Sequence, residues 1–155
     1  MSDRRTGRAA TRVGIPCPGC GVHGREVSDE TIAAILDPQH ARIVLSEPRN
    51  FCRNPTCPVV YYGEHHRVDK GNVPVRVGLK ENEDPVPLCY CLGFTRADVW
   101  NEIAHTGSTT IPARIADEVR AGHCACTTKN PSGICCLGEV NRAVAQARAG
   151  RRGST

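Results

Sequence analysis

The sequence predicts an α+β protein in which a small β-rich module precedes a helical module. The ten cysteines form two sets, which are separated by a stretch without cysteine between Cys57 and Cys89. Strand-like apolar runs dominate the chain before this stretch, and helix-like amphipathic patterns follow it. With 15 glycines, 11 prolines and only 4% aromatic residues, two modules of this size bury little apolar surface. We therefore expect the cysteines to staple each module.

In the first module, the runs RIVL and PVVYY are rich in β-branched and aromatic residues, which favours strands. The segment VPVRVGL alternates Val75, Val77 and Leu79 on one face, which is the periodicity of a strand. SDETIAAIL predicts one short helix with Ser28 as its N-cap, because serine oxygens accept hydrogen bonds from first-turn N–H groups. This half of the chain is therefore predicted to be mostly strand and turn.

The second module is predicted to contain three short helices. The first begins after Thr95, has Asp98 in a relative of the capping box, and ends at Gly107. The second has Thr110 as its cap and a proline early, where a missing N–H costs little. The third begins at Leu137. Each carries apolar residues at four-residue spacing, which is typical of a helix with one buried face.

The acidic, proline-containing segment KENEDPVPL reads as a linker, because proline removes a backbone donor and disfavours a helix before it. It sets the predicted module boundary near residue 84. The predicted divisions are a disordered basic tail at 1–12, a β-rich zinc-binding domain at 13–84, a helical domain at 85–147 and a basic tail at 148–155.

The N-terminus has no apolar core of a signal peptide, and no run approaches a membrane span. We therefore expect a cytoplasmic protein without membrane insertion, in which paired thiols bind metals rather than form disulfides. The net charge of +4 arises at the termini, because residues 1–12 carry +3, residues 142–155 carry +4 and residues 13–141 carry −3. A body without net positive charge argues against nucleic acid as the partner.

The first cysteine set predicts a zinc site. Its members have C-x2-C and C-x4-C spacing and lie beside glycine or proline: Cys17, Cys20, Cys52 and Cys57. A tight turn within each pair points two sulfurs at one metal, and four thiolates in a tetrahedron suit Zn2+. The nearby His65 and His66 are predicted to be surface residues, since neighbours in an extended segment point to opposite sides.

The second set begins with C-x-C immediately before a helix. A Cys-x-Cys pair does not easily place both sulfurs on one tetrahedral zinc, but it suits a cluster in which the thiolates reach one iron or span two. The order C-x-C, 34 residues, C, nine residues, C is compatible with a [2Fe-2S] cluster. The spacing alone favours a [2Fe-2S] cluster and other roles for these thiols equally.

Two motifs add a resemblance. LCYCLGFT with CTTKNPSGICCLGEV resembles the bacterioferritin-associated-ferredoxin (BFD) type of [2Fe-2S] domain, a compact helical unit. CPGC, FCRNPTCPVVYY and VPVRVGLKENEDPVPLCYC resemble the zinc-binding domain that precedes this unit in the N-terminal half of CopZ-type copper chaperones. The resemblance extends over residues 15–146 and implies one structural zinc and one [2Fe-2S] cluster in the chain.

The resemblance also implies the ligands. Those of zinc are Cys17, Cys20, Cys52 and Cys57, and those of the cluster are Cys89, Cys91, Cys126 and Cys136. Two alternatives stay open, because Cys124 lies close to Cys126 and Cys135 is adjacent to Cys136. The two spare thiols either bind a soft ion such as Cu+ transiently or simply pack as small apolar groups.

The expected function is single-electron transfer in copper or other soft-metal handling, as in an electron carrier or metallochaperone rather than a turnover enzyme. CopZ-type chaperones have a further copper-binding domain with a Met-x-Cys-x-x-Cys loop, and this sequence has no such loop. We therefore expect a separate copper-binding chaperone or transporter domain, and a reductant or redox donor protein, as partners. The alternative is a metal-stabilised adaptor without redox activity. The oligomeric state is not predicted.

Overall fold

The computed structural model describes residues 13–123 and 125–153, with side chains to Gly150. The first module is built on a five-stranded antiparallel sheet whose strands are adjacent in chain order. The strands are β1 (Val13–Pro16), β2 (His23–Glu26), β3 (Asn50–Phe51), β4 (Val59–Tyr62) and β5 (Arg67–Asp69). All four residues of β4 are buried, which makes the predicted PVVYY strand the centre of this module.

Two helices pack beside the sheet, α1 (Asp29–Ile35) and α2 (Pro38–Leu45). Ser28 caps α1 through its side chain, as the sequence predicted. The RIVL run is not a strand but the last turn of α2, so that prediction was wrong. The side chain of Asp37 accepts a hydrogen bond from the N–H of His40, and Pro38 occupies the first turn. These local start signals outweigh the β-branched composition of the run.

The VPVRVGL segment is also not a strand. It bends at residues 74–75 and then forms a 3-10 turn at Gly78–Lys80. Val77 is buried in the core of the first module, whereas Val75 is 37% exposed. The two valines are therefore not equivalent, and the alternation in the sequence does not reflect one buried face of a strand.

The second module contains a short hairpin and four helices. The hairpin consists of β6 (Pro87–Cys89) and β7 (Phe94–Thr95), and the helices are α3 (Arg96–Thr106), α4 (Ile111–Arg120), α5 (Cys126–Lys129) and α6 (Leu137–Gly153). Thr95 and Asp98 form a capping box on α3, and Gly107 ends it in the left-handed conformation, both as predicted. Helix α6 continues through residues 148–153, where only a basic tail was expected.

Thr110 is the N-cap residue of α4, as predicted, but its side chain does not provide the capping hydrogen bond. The preceding Thr109 takes that role instead, because its hydroxyl accepts a hydrogen bond from the N–H of Ile111 at 3.1 Å and donates one to Glu102 at 2.6 Å. The α+β fold, with a sheet module followed by helices, is confirmed. No helix among the described residues is long and apolar enough to cross a lipid bilayer.

The two modules are joined by buried hydrogen bonds. The Tyr61 hydroxyl on β4 donates to the Pro131 carbonyl at 2.5 Å, and the Thr31 hydroxyl on α1 donates to the Thr127 carbonyl at 2.6 Å. Gly133 approaches α1 so closely that a Cβ there would lie 2.8 Å from the Thr31 hydroxyl oxygen. The loop between α5 and α6 is thus seated on the first module.

Candidate metal centre

The first thiol pair is held by a turn that directly follows β1. The Gly19 N–H donates to the Cys17 sulfur at 3.3 Å, and the Gly21 N–H donates to the Cys17 carbonyl at 2.8 Å. Gly21 has a φ of 79°, a region that glycine adopts without strain. A Cβ on Gly19 would lie 3.1 Å from the Cys57 sulfur. This turn therefore points the sulfurs of Cys17 and Cys20 toward the second thiol pair.

The second pair is held by a turn that Asn54 organises between β3 and β4. The Asn54 carbonyl accepts a hydrogen bond from the N–H of Cys57 at 3.2 Å, and its side-chain oxygen accepts one from the N–H of Thr56 at 3.1 Å. The N–H of Cys52 continues the strand pairing by donating to the Val60 carbonyl at 2.9 Å. Because the turn begins and ends on paired strands, the sheet fixes the positions of both thiols.

The four thiols have the geometry of a single tetrahedral metal site. Their sulfurs all lie within 4.8 Å of one another. Two edges are 3.9 Å, between Cys17 and Cys57, and 3.8 Å, between Cys20 and Cys52. A tetrahedron with Zn–S bonds of about 2.3 Å has edges of about 3.8 Å. Four thiols at the corners of a tetrahedron of this size therefore fit Zn2+. With all four coordination positions taken by sulfur, none is open for a further ligand.

A buried lysine that the sequence did not reveal supports this site. Lys80 is only 4% exposed. Its ammonium donates to the Asn54 carbonyl at 2.7 Å and to the Cys57 carbonyl at 3.0 Å. An ammonium buried beside carbonyls alone is costly, but four thiolates on Zn2+ carry a net charge of about −2 that offsets its charge. Lys80 therefore both holds the second turn and complements the charge of the loaded site.

The thiols differ in how easily they ionise. Burial raises the pKa of Cys52 to about 12 and outweighs the opposing effects of the Asn54 N–H and the Lys80 charge. Burial also raises the pKa of Cys57. Burial acts on Cys20 in the same direction, but hydrogen bonds from Val22 and neighbouring side chains lower its pKa to about 7. Because metal ligands must be thiolates, binding at neutral pH has to displace protons from this site.

The second cysteine set lies where the hairpin, α4, α5 and the start of α6 meet. Cys89 ends β6 and Cys91 lies in the hairpin turn, while Cys126 begins α5 and Cys136 directly precedes α6. All four line one small cavity together with Ile115 and Val119 of α4. Cys89, Cys126 and Cys136 are buried, and Cys91 is half-buried.

The thiols of this set are arranged differently from those of the zinc site. The sulfurs of Cys91 and Cys126 are 3.9 Å apart, and the Ala125 N–H donates to the Cys91 sulfur at 3.1 Å. Within residues 13–123 and 125–153, however, only the first set forms a group compact enough for one ion. The four thiols of the second set therefore line one cavity but are spread more widely than those of the first set.

The structure separates the two adjacent thiols before α6. Cys136 is 1% exposed and lines the cavity, whereas Cys135 is exposed. The carbonyl of Cys136 accepts the first hydrogen bond of α6, from Val140 at 3.0 Å, so this thiol lies at the positive end of a long helix. Cys126 also lines the cavity, and the alternative Cys124 lies outside the described residues.

The prediction that both adjacent histidines are surface residues was only half right. His65 is exposed, but the side chain of His66 is 6% exposed, and both Nδ1 atoms contact the carboxylate of Glu47, at 2.9 and 2.5 Å. Hydrogen bonds from the backbone and side chain of His65 lower the pKa of Glu47 to about 2, against a smaller effect of burial. The Glu47 carboxylate, which follows the C-terminal end of α2, contacts both imidazole rings. The alternation of side chains along an extended strand does not predict this shared contact.

With this geometry described, comparison with known proteins identifies the family. Residues 15–73 match a family model described as a zinc binding domain of the CopZ type. The chain is 32% identical over 126 residues to the copper chaperone CopZ of Archaeoglobus fulgidus. It also matches the crystal structure of the N-terminal domain of that protein with a TM-score of 0.67 and 30% identity, over 83% of this chain and 96% of the other. The chain belongs to the CopZ family.

The match to the full-length CopZ chaperone is partial. It covers 81% of this chain but only 60% of the chaperone, and the part that is matched includes its N-terminal domain. Within the CopZ zinc binding domain, the matched range contains all four thiols of the compact group. The family and the tetrahedral geometry therefore agree on zinc as the metal of the first module.

Proposed function

We propose that the chain is a two-centre metalloprotein that carries single electrons in copper or other soft-metal handling. Zinc on the first cysteine set is structural, and a [2Fe-2S] cluster on Cys89, Cys91, Cys126 and Cys136 is the redox centre. The observation that supports this proposal is the convergence of these four thiols, from three separate segments, on one cavity beside the start of α6.

The chain's own residues suit such a centre. The N–H of Ala125 donates to the Cys91 sulfur, and hydrogen bonds of this kind stabilise the more negative, reduced state. Cys136 directly precedes the N-terminal end of α6. The free backbone N–H groups and the helix dipole at that end favour negative charge. Ile115 and Cys89 shield the cavity from water on its inner side.

A [2Fe-2S] cluster held by Cys89, Cys91, Cys126 and Cys136 would supply one-electron redox chemistry, and one electron given to Cu2+ would yield Cu+. The electron must come from a separate reductant or redox protein. We propose that Cu2+ is presented by a separate copper-binding partner, because the Archaeoglobus fulgidus relative is a copper chaperone. The exposed Cys135 is a thiol that could contact soft metal transiently.

Metal analysis of anaerobically purified protein tests the proposal. We expect about one zinc and two irons per chain, visible absorption that dithionite bleaches, and an electron paramagnetic resonance signal that appears only on reduction. Copper reduction would then be measured as Cu+ captured by a colorimetric chelator after the reduced protein is mixed with Cu2+. Zinc without iron, even after anaerobic reconstitution, would refute the redox function.

Two adjacent cysteines provide a matched pair of variants. Cys136→Ser should lose the cluster absorption while keeping zinc, because the buried Cys136 lines the cavity. Cys135→Ser makes the same replacement of sulfur by oxygen one residue earlier in the chain, at an exposed position. This variant should keep both zinc and iron. Loss of iron in Cys135→Ser and its retention in Cys136→Ser would reverse the ligand assignment.

A further inference from the structure

An open cleft lies between the two modules, and its lining includes Arg53 and Pro55 from the turn between Cys52 and Cys57. Its volume is about 410 Å³, which falls in the range of small-molecule sites. Residues of both modules line it, and four of them are arginines: Arg25, Arg53, Arg96 and Arg142. The first two come from the zinc-binding module and the last two from the helical module. An occupant of the cleft would therefore touch both modules.

Two of these arginines are held in place by aromatic rings. The guanidinium of Arg25 lies 5.6 Å from the centroid of Phe51, and that of Arg96 lies 4.7 Å from the centroid of Trp100. Stacking of this kind fixes the plane of the guanidinium and reduces the entropy lost when it binds a ligand. The positively charged groups are thus preorganised rather than free in solvent.

The same two side chains have unused donors. Among the described residues, the Nε atoms of Arg25 and Arg96 are buried and have no hydrogen-bond partner. A buried N–H without an acceptor is destabilising, so native structures rarely retain one that nothing can satisfy. Both unpaired donors belong to residues that line this cleft.

Carboxylates pair with two of the four cleft arginines. Arg142 pairs with Glu139 at 2.9 Å, and Arg96 pairs with Asp84 at 3.2 Å. The other acidic residue of the lining, Glu81, pairs with Arg76 at 3.2 Å, so among the described residues no carboxylate pairs with Arg25 or Arg53. Burial lowers the pKa of Arg25, and the positive charges of Arg53 and Arg142 lower it further against the effect of Glu139. Like charges therefore act on one another across the module boundary, and an anion placed between them would relieve the repulsion.

We infer that this cleft binds a small polyvalent oxyanion, one that bears phosphate or carboxylate groups and bridges the two modules. Guanidinium groups present paired N–H donors in the plane that matches both kinds of oxyanion. The four arginines, two of them with unused donors, provide the complement to several negative oxygens. No cysteine of the described part of the chain lines the cleft, so the inference does not depend on the redox proposal.

Isothermal titration of the metal-loaded chain with pyrophosphate and, separately, with citrate tests the inference. We expect saturable binding of one anion per chain, and the anion that binds more tightly identifies the phosphate or carboxylate source. Arg25→Gln and Arg142→Gln should each weaken binding at least about tenfold, because each removes a charge-assisted hydrogen bond. Arg142 is exposed, so this second variant keeps the test informative if Arg25→Gln folds poorly.

The control is Arg42→Gln, which removes the same charge from an exposed position of α2 outside the cleft. It should leave the affinity unchanged. Zinc content and circular dichroism confirm that each variant is folded. The inference is overturned if neither anion binds saturably, or if Arg42→Gln weakens binding as much as the cleft variants, since binding would then reflect only the overall charge.

Discussion

Replacement of the buried Lys80 by methionine should weaken zinc binding more than it destabilises the metal-free chain. Methionine is of similar length and removes only the ammonium and its two hydrogen bonds to the Asn54 and Cys57 carbonyls. In the metal-free protein the thiols of Cys52 and Cys57 are protonated and neutral, because burial raises their pKa values. Once zinc is bound, four thiolates surround the metal, and the positive charge matters most in that state.

The size of the effect follows from the contacts. Hydrogen bonds from a charged donor contribute about 1.5–3 kcal/mol each. Removing the ammonium also removes the cost of burying it, at a site only 4% exposed, and this cancels part of the two-bond loss. The two hydrogen bonds are present with and without zinc, so only the part of the loss that is confined to the zinc-bound state changes the zinc affinity. About 2 kcal/mol confined to that state corresponds to about 30-fold in zinc affinity, since about 1.4 kcal/mol is a factor of ten. Outer-shell substitutions at metal sites cost about 10–100-fold, which includes this value.

The assay is competition for zinc between the protein and a chromophoric chelator, combined with urea unfolding in the presence and absence of zinc. Lys70→Met serves as the control, because it removes the same charge nearby from a side chain that is 41% exposed. We expect Lys70→Met to bind zinc within about twofold of the native chain, since exposed charges contribute little. Equal zinc affinities of Lys80→Met and the native chain would refute the assigned role of Lys80.

Three further outcomes are expected. Zinc affinity should fall at least about a hundredfold per pH unit from pH 8 to 6, because Cys52 and Cys57 have raised pKa values and must each lose a proton on binding, and it should fall more steeply below pH 7, where Cys20, with a pKa of about 7, is also protonated; competition titrations at several pH values would show a flat profile if this were wrong. Tyr61→Phe should cost about 1–2 kcal/mol of stability and speed amide exchange in residues 130–133, and unchanged exchange would contradict the docking of that loop. Gly133→Ala should destabilise by more than about 1 kcal/mol, because φ is 78° and the space is occupied, whereas Gly138→Ala, on open helix surface, should be neutral or stabilising by thermal melting.

Local signals explain what could be predicted. The capping box of α3 and its glycine terminus are specified within a dozen residues, and the structure has both. The two cysteine turns are equally local, because glycine and proline determine where the chain reverses. Even the missed helix α2 has such a signal, since Asp37 followed by Pro38 is a cap and a first-turn proline. The apolar RIVL run obscured it, because a short apolar run fits a helix and a strand equally well.

The remaining features depend on contacts between distant segments. Nothing around Lys80 in the sequence indicates that its ammonium meets carbonyls 23 and 26 residues earlier. The cleft that Arg25 and Arg96 line likewise forms only where the two modules pack against each other. The choice between Cys135 and Cys136 needed burial, since both have compatible spacing. The ligand assignments themselves stay predictions, because they concern bound metals, although the structure brings each set of described thiols together.

The contacts between the modules connect the two candidate centres. Tyr61 lies on β4, the strand that immediately follows the Cys57 turn, and its hydroxyl holds the Pro131 carbonyl in the loop that separates Cys126 from Cys136. Zinc that fixes the Cys57 turn therefore also fixes the strand on which this loop rests. Because two cavity thiols flank the loop, loss of zinc should loosen their spacing before it unfolds α6. A structural metal in one module should thus stabilise the spacing of the cavity thiols in the other.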